Sequence, residues 1–303
     1  MRIIYQKVAG LDIHKKSVVV CRMRINEVGR VEWEIKTFGT TTKALLGLLD
    51  WLGEWGIEQV AMESTGDYWK PVYNLLEGQF AVWLVNARNV KKVPGRKTDA
   101  SDAEWLVELM LHGLLKASFI PPKAQRVLRE LTRYRSTVVK ERSRIVNRLQ
   151  KDLEGANIKL SSVVSDVMGV SAKAMLQELA AGNEDTTALA ELAKGRLRNK
   201  IADLEEALKG LVDPHHRFIL AQQLAHIDFL DQQIEALSNQ ISQHLQEMSQ
   251  PSNDASDPPS DTLAQAQSTQ LPASSIPEHL TWDNAVALLD TIPGVDVRTA
   301  EVI

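Results

Sequence analysis

Apolar and β-branched residues gather in three short runs at the start of the chain. The runs KVAGLDI, KSVVVCRMRI and VEWEIKTF have the composition of strands. Turn-type residues such as Asn26 and Gly29 lie between them. Three consecutive strands of this kind predict an antiparallel meander.

A helical spacing of apolar residues follows the three strands. The stretch TTTKALLGLLDWLGEWG predicts a helix with one apolar face, formed by Leu45, Leu48, Leu49 and Leu52. QVAMES and FAVWLVNA are short apolar runs typical of buried strands, and GDYWKPVYNLLEG between them predicts a second helix. The resulting order, β-β-β-α-β-α-β, is that of the ribonuclease H-like fold, so the predicted class is α/β.

The rest of the chain has mainly helical patterns. We expect helices from about Thr98 to Leu115 and from about Pro121 to Glu154, and helical structure throughout 186–248. Eight apolar residues in the last stretch keep a three-four spacing: Leu220, Leu224, Ile227, Ile234, Leu237, Ile241, Leu245 and Met248. This spacing predicts either a coiled-coil seam or a seam packed within its own helical domain.

Composition divides the chain into four segments. Residues 1–155 are predicted to form the α/β domain, and residues 156–249 a helical, coiled-coil segment. Residues 250–277 are rich in Ser, Pro, Asp, Gln and Ala and lack aromatic residues, which is typical of a disordered linker. Residues 278–303 predict the beginning of another folded unit.

Composition also indicates where the protein works. The chain is 44% hydrophobic, which is enough for a sizeable core. Its single cysteine, Cys21, fits a reducing compartment better than a disulfide-stapled secreted protein. No apolar run approaches the roughly 20 residues that a membrane span needs. We therefore expect a cytoplasmic protein that is not bound to a membrane.

Charge is distributed unevenly along the chain. The whole chain has a net charge of -4, but residues 88–148 contain 15 Lys or Arg against 6 Asp or Glu, a net charge of +9. The remainder is therefore at -13. A basic middle section of this kind indicates a polyanionic partner such as nucleic acid.

The basic residues of that section form two groups. The first lies in the run ARNVKKVPGRK and comprises Lys91, Lys92, Arg96 and Lys97. The second forms two stripes on a predicted helix and comprises Arg126, Arg129, Arg133, Lys140, Arg144 and Arg148. The stripes could follow a nucleic-acid backbone, with Tyr134 stacked on a base. They could also be a solvated helix face with ion pairs to Glu130 and Glu141.

Four carboxylates stand at positions that the predicted fold would bring together. Asp12 ends the first strand beside the small Gly10, and Glu63 ends the strand QVAMES. Asp99 and Asp102 are one helical turn apart and share a helix face. In a ribonuclease H-like sheet the first and fourth strands are neighbours, and their ends face the helix that follows the fifth strand.

Converging carboxylates are what divalent-metal phosphoryl transfer requires, because Mg²⁺ prefers oxygen ligands. Each of the four taken alone is more often a turn residue or a helix cap than a ligand, and Asp99 alone could simply cap its helix. The set of four in this order of elements favours a metal site.

Three histidines are further candidates for metal or phosphate contacts. His14 follows Asp12 closely, but we expect it to face the other side of the strand. His215 and His216 have no Cys or His partners at zinc spacing, and they are predicted to belong to a helix start after Pro214. None of the three is predicted to be a site residue.

Three motifs in order, GLDIHKKSV, AMESTGDYW and GRKTDASDAEWL, resemble those of the DEDD-type insertion-sequence transposases. These are also described as bridge-RNA-guided recombinases, and the pilin-gene invertases are their relatives. The resemblance implies a RuvC-like domain whose Asp, Glu, Asp, Asp tetrad binds Mg²⁺, for which Mn²⁺ can substitute. It transfers the catalytic and metal-binding roles to Asp12, Glu63, Asp99 and Asp102.

The same resemblance implies partners. They are DNA and a structured guide RNA encoded by the element. The resemblance also implies association with the nucleoid when the protein acts. The three-four apolar spacing at 220–248 adds a further expectation, a homo-oligomer joined through the coiled coil.

The end of the chain, LLDTIPGVDVRTAEVI, resembles the opening of the family's carboxy-terminal domain. In the family that domain continues and carries a serine that attacks DNA, and we expect this chain to be truncated before it. Neither Ser64 nor Ser101 receives that role. The predicted function is a transposase or site-specific recombinase that cleaves and transfers DNA strands with a metal ion, and we expect this activity to be incomplete in this chain. A metal-dependent nuclease for branched DNA and a non-catalytic DNA- or RNA-binding remnant are the alternatives.

Overall fold

The computed structural model describes residues 3–64, 66–86, 90 and 101–249. The chain divides into two compact units, Met1–Pro121 and Pro122–Ile303. The predicted linker at 250–277 and the predicted unit at 278–303 lie outside the described residues.

The first unit is a mixed α/β structure, as its sequence predicts. Its strands are β1 (Lys7–Ile13), β2 (Ser17–Ile25), β3 (Val31–Gly39), β4 (Gln59–Glu63) and β5 (Ala81–Val85). Its helices are α1 (Thr42–Glu54), α2 (Trp69–Leu76) and α3 (Asp102–Leu111). The order of these elements confirms the predicted β-β-β-α-β-α-β sequence.

The five strands form one sheet in the order β3-β2-β1-β4-β5. β1, β2 and β3 are antiparallel neighbours, which confirms the predicted meander. β1 and β4 are parallel neighbours, with Leu11 paired to Met62. This arrangement is consistent with a ribonuclease H-like transposase domain.

The two faces of the sheet bury different helices. One face carries Leu11, Val20 and Met62 into a core shared with α1 and α2. The opposite face carries Val8 and Ala61 into a second core, which is shared with α3. Successive side chains of a strand point to opposite faces of the sheet. Neighbouring residues of one strand therefore contribute to different cores.

Gly10 lets α3 lie unusually close to the sheet. A Cβ atom at Gly10 would stand 2.2 Å from the carbonyl oxygen of Ala103 and 2.9 Å from the Cβ of Leu106. At the other end of the helix, the amide of Ile4 donates to the carbonyl of Leu111 at 2.8 Å. α3 therefore runs antiparallel to β1, and its first residues lie over the carboxyl end of that strand.

Replacing Gly10 by Ala should force α3 away from the sheet, because the contact at 2.2 Å is with backbone rather than with a flexible side chain. We expect a loss of about 1–3 kcal/mol in the free energy of unfolding, as for other overpacked cores. Gly47→Ala in α1 is the matched control, since nothing lies within 4 Å of its added Cβ. Equal stability of the two variants in urea unfolding would contradict the close approach.

The second unit is all helical in its described part. Its helices are α4 (Lys123–Gly155), α5 (Leu160–Val163), α6 (Val170–Ala181), α7 (Thr186–Ala190), a 3₁₀ helix (Gly195–Lys200), α8 (Ile201–Ala207) and α9 (Pro214–Ser249). The boundary predicted at residue 155 assigns α4 to the α/β domain, whereas α4 groups with this second unit. No described helix is both long enough and apolar enough to cross a membrane.

α4 and α9 pack against each other as an antiparallel pair. Near one end, Nε2 of His244 lies 2.9 Å from the carbonyl oxygen of Ala124. Further along, Nε of Arg135 donates to the Ser238 hydroxyl at 2.9 Å. Arg142 then forms an ion pair with Asp231.

The apolar seam predicted on α9 belongs to this intrachain packing. Leu220, Leu224 and Ile227 are buried in the core of the second unit, and Ile234 and Leu237 pack against it. Residues of α4 such as Leu149 are part of the same core. The packing favours the second of the two sequence alternatives, a seam within its own helical domain.

Candidate active site

Asp12 and Glu63 are neighbours at the carboxyl ends of two parallel strands. Leu11 pairs with Met62, so the next residue of each strand stands beside that of the other, with the strands about 4.8 Å apart. Leu11 and Met62 point to the side of α1 and α2. Asp12 and Glu63 therefore point to the opposite side, which α3 covers.

Asp102 reaches the same end of that face through the start of α3. Ser101 is the N-cap: its hydroxyl accepts from the amide of Glu104 at 3.2 Å, and the Glu104 carboxylate accepts from the Ser101 amide at 2.8 Å. This reciprocal capping box fixes the first turn. Because α3 starts over the carboxyl end of β1, its first residue, Asp102, belongs to the same region as Asp12.

Three of the four predicted metal ligands are thus brought to one end of one sheet face. The fourth, Asp99, lies outside the described residues, as do the predicted nucleic-acid contacts Lys91, Lys92, Arg96 and Lys97. The donor set is made of carboxylate oxygens, which fits a hard divalent cation such as Mg²⁺.

His14 is a neighbour of this site that the sequence reading missed. Its Nε2 lies 3.0 Å from Oδ2 of Asp12, so the prediction that it faces the other side of the strand is wrong. His14 directly follows the last residue of β1, and extending the two-residue period of the strand past Ile13 would have placed it on the side of Asp12. With 62% of its side chain exposed, His14 is open to solvent while its ring contacts the carboxylate.

Cys21 contributes a neutral thiol behind the site. It pairs with Gly10 across β1 and β2 and has no exposed surface. Burial, and to a lesser extent the nearby Glu104 carboxylate, raise the pKa of the Cys21 thiol from 9.0 to about 12. The thiol therefore stays protonated at neutral pH, and Cys21 serves as a small core residue rather than as a metal ligand.

A basic surface on α4, here called the basic face, is the second candidate site. Its exposed members are Arg129, Arg133, Lys140, Arg144 and Arg148, and Arg126 at the same stripe is partly buried. At 100° per residue these side chains fall on one side of the helix. Leu128, Ile145 and Leu149, on the opposite side, are buried. Tyr134 is 57% exposed.

The basic face spans the 23 residues from Arg126 to Arg148, or about 33 Å of helix. In the described part of the chain, Glu130 and Glu141 make no ion pair with Arg133, Lys140 or Arg144. The ion pair between Arg142 and Asp231 lies on the side that packs against α9. Arg133, Lys140 and Arg144 are therefore available for an external polyanion, which weakens the alternative of a solvated face with internal pairs to Glu130 and Glu141.

One family model matches the chain. The DEDD_Tnp_IS110 model, whose description is "Transposase", matches residues 9–158. This range contains the whole predicted tetrad and the basic face. A comparison with curated proteins gave no match.

Proposed function

Since this chain belongs to the DEDD-type insertion-sequence transposase family, we propose that its first unit supplies the divalent-metal part of a site that cleaves and transfers DNA strands. Transposition is the role of the family, and DNA is the partner that this role implies. The observation that carries the proposal is the parallel register of β1 and β4, which sets Asp12 beside Glu63 beneath the start of α3.

Asp12, Glu63, Asp99 and Asp102 are the proposed ligands. Carboxylates this close repel one another, and a bound cation offsets the repulsion. When bound there, Mg²⁺ supplies a Lewis acid for a scissile phosphate and lowers the pKa of an attacking hydroxyl. The carboxylates hold that charge at a fixed place, and the capping box of Ser101 and Glu104 keeps the first turn of α3 from fraying.

His14 is the proposed positioning residue of this site. An imidazole N-H that donates to one carboxylate oxygen of Asp12 leaves the other oxygen for a cation. Hydrogen bonds of this kind orient metal-binding carboxylates.

The Asp102→Asn variant tests the metal site. We expect Mn²⁺ or Mg²⁺ to raise the melting temperature of the wild type and to raise that of the variant much less, because one charged oxygen ligand is lost. Glu108→Gln is the matched control, an exposed carboxylate further along the same helix. The melting temperatures are measured by differential scanning fluorimetry. An equal rise in melting temperature in wild type and Asp102→Asn would contradict the metal-binding role of the tetrad and favour a non-catalytic nucleic-acid-binding protein.

We also propose that the basic face binds a phosphate backbone, either of the DNA or of a guide RNA. Two features of the basic face support this proposal. Its length of about 33 Å is close to the pitch of B-form DNA, and its cations are spaced along one side of a single helix. Contacts to phosphates give affinity without sequence readout, so a guide RNA would have to supply the choice of target.

Replacing Arg133, Lys140 and Arg144 together by Ala should weaken binding to duplex DNA and reduce its dependence on salt. Each lost phosphate contact lowers the slope of log K against log salt by about 0.9 for B-form DNA. The triple variant should therefore lose about 2 to 3 in slope if all three residues touch phosphates.

The control for that experiment removes three cations from another part of the same unit, by replacing Lys194, Arg196 and Arg198 by Ala. All three are exposed, so both triple variants change the net charge equally. Equal loss of affinity and slope in the two variants, in fluorescence anisotropy titrations, would mean that general charge and not the basic face holds the DNA.

Association with a second copy is proposed through a surface other than the predicted seam. That seam is buried against α4, but α9 carries another three-four repeat on its exposed side, here called the uncharged face. Its members are Phe218, Gln222, Ala225, Phe229, Gln232, Ala236, Asn239 and Gln243. Two such faces can meet without burying an unpaired charge, as a symmetric dimer requires.

Phe229→Glu should convert a dimer to a monomer, because two Glu side chains would approach each other across the twofold contact. Phe229 is 54% exposed, so the fold of the monomer should be unaffected. Ser242→Glu adds the same charge at an exposed position on another side of α9 and should leave the dimer intact. Sedimentation velocity gives the mass of the wild type and of each variant. A monomeric wild type, or a Phe229→Glu variant that remains a dimer, would contradict the uncharged face as the interface.

A further inference from the structure

Two histidines and an aspartate converge where α9 begins. α9 starts at Pro214, which confirms that His215 and His216 belong to a helix start. Asp213 immediately precedes the helix, and one ligand atom from each of the three residues lies within 4.8 Å of the others. A search for Cys or His partners alone overlooks this carboxylate.

The two imidazoles are held together and accessible. Their ring centroids are 3.8 Å apart with 38° between the planes. Asp213 and His215 are exposed and His216 is partly buried, so an ion could arrive from solvent.

The surroundings of the histidines provide a second carboxylate and a low-dielectric wall. His215, His216 and Asp152 line one cavity of about 210 Å³, whose walls include Leu149 and Leu220. Asp152 accepts a hydrogen bond from Nε2 of the buried Gln223. The positive end of a helix dipole opposes a cation, and the negative charges of Asp213 and Asp152 compensate for it.

We propose that Asp213, His215 and His216 bind one borderline transition-metal ion of the Zn²⁺ class, in a site separate from the carboxylate tetrad. Two imidazole nitrogens, one carboxylate oxygen and a water make the four-coordinate set that Zn²⁺ accepts. The nitrogen ligands select against Mg²⁺, which the all-oxygen tetrad suits.

A simple helix cap is the competing role for His216. Its Nδ1 accepts from the backbone amide of Asp213 at 3.3 Å, which is long for a hydrogen bond. An ion would take the same lone pair at little cost. Bound there, it would join the chain before α9 to the first turn of the helix and stabilise the folded unit by linkage.

The test uses the full chain without a histidine tag, titrated with Zn²⁺ by calorimetry and with Co²⁺ by visible absorption. The expected result is one equivalent of Zn²⁺ per chain, a raised melting temperature, and a tetrahedral Co²⁺ spectrum. His215→Ala and His216→Ala should each lose the Zn²⁺-dependent shift. His226→Ala, an exposed histidine of the same helix, should keep it.

Asp102→Asn should also keep the Zn²⁺ shift, so failure of the tetrad and failure of this site give different results. Two outcomes overturn the proposal. If the wild type binds no Zn²⁺ and His216→Ala merely melts at a lower temperature, His216 is a helix cap only. If His226→Ala loses as much binding as His216→Ala, the ion binds to surface histidines without a defined site.

Discussion

The close approach between the backbone of Gly10 and that of Ala103 determines the geometry of the first unit. A helix packed on a sheet usually stands off by the length of the side chains between them, and here a missing Cβ removes one of those side chains. The first turn of α3 thereby comes down onto the end of β1. A larger residue at position 10 would raise the helix and separate Asp102 from the strand ends.

The carboxylates at this end of the sheet repel one another, and this repulsion lowers the stability of the fold. Asp12, Glu63 and Asp102 occupy one region, and Glu104 adds charge beside the buried Cys21. Within the region, His14 donates to Asp12, and Ser101 and Glu104 are joined by reciprocal hydrogen bonds. A site of this composition fits a protein whose active state includes a bound cation.

Sequence patterns predicted the strands and helices, because these depend on residues close together in the sequence. The patterns did not predict which surfaces pack against each other, because this depends on residues that are far apart in the sequence. The apolar runs of β1 to β5 and the helical spacing of α1 were sufficient to predict the order of the first unit, and the ribonuclease H-like order then placed β1 beside β4. The three-four repeat of α9 identified an apolar side but not its partner, because Leu220 and Leu224 would look the same against α4 or against another chain. His14 is a simpler case, because the two-residue period of β1, extended past Ile13, places it on the side of Asp12.

The antiparallel pair of α4 and α9 has two different sides. α4 alone is 33 residues long, or about 50 Å. Contacts such as His244 with Ala124 and Arg142 with Asp231 are distributed along the pair and prevent one helix from sliding past the other. Whatever lies on the basic face is therefore held at a set distance from whatever lies on the uncharged face. In the proposed dimer, the helix pairs of the two copies would set the distance between the two basic faces, and with it the distance between nucleic-acid segments bound to them.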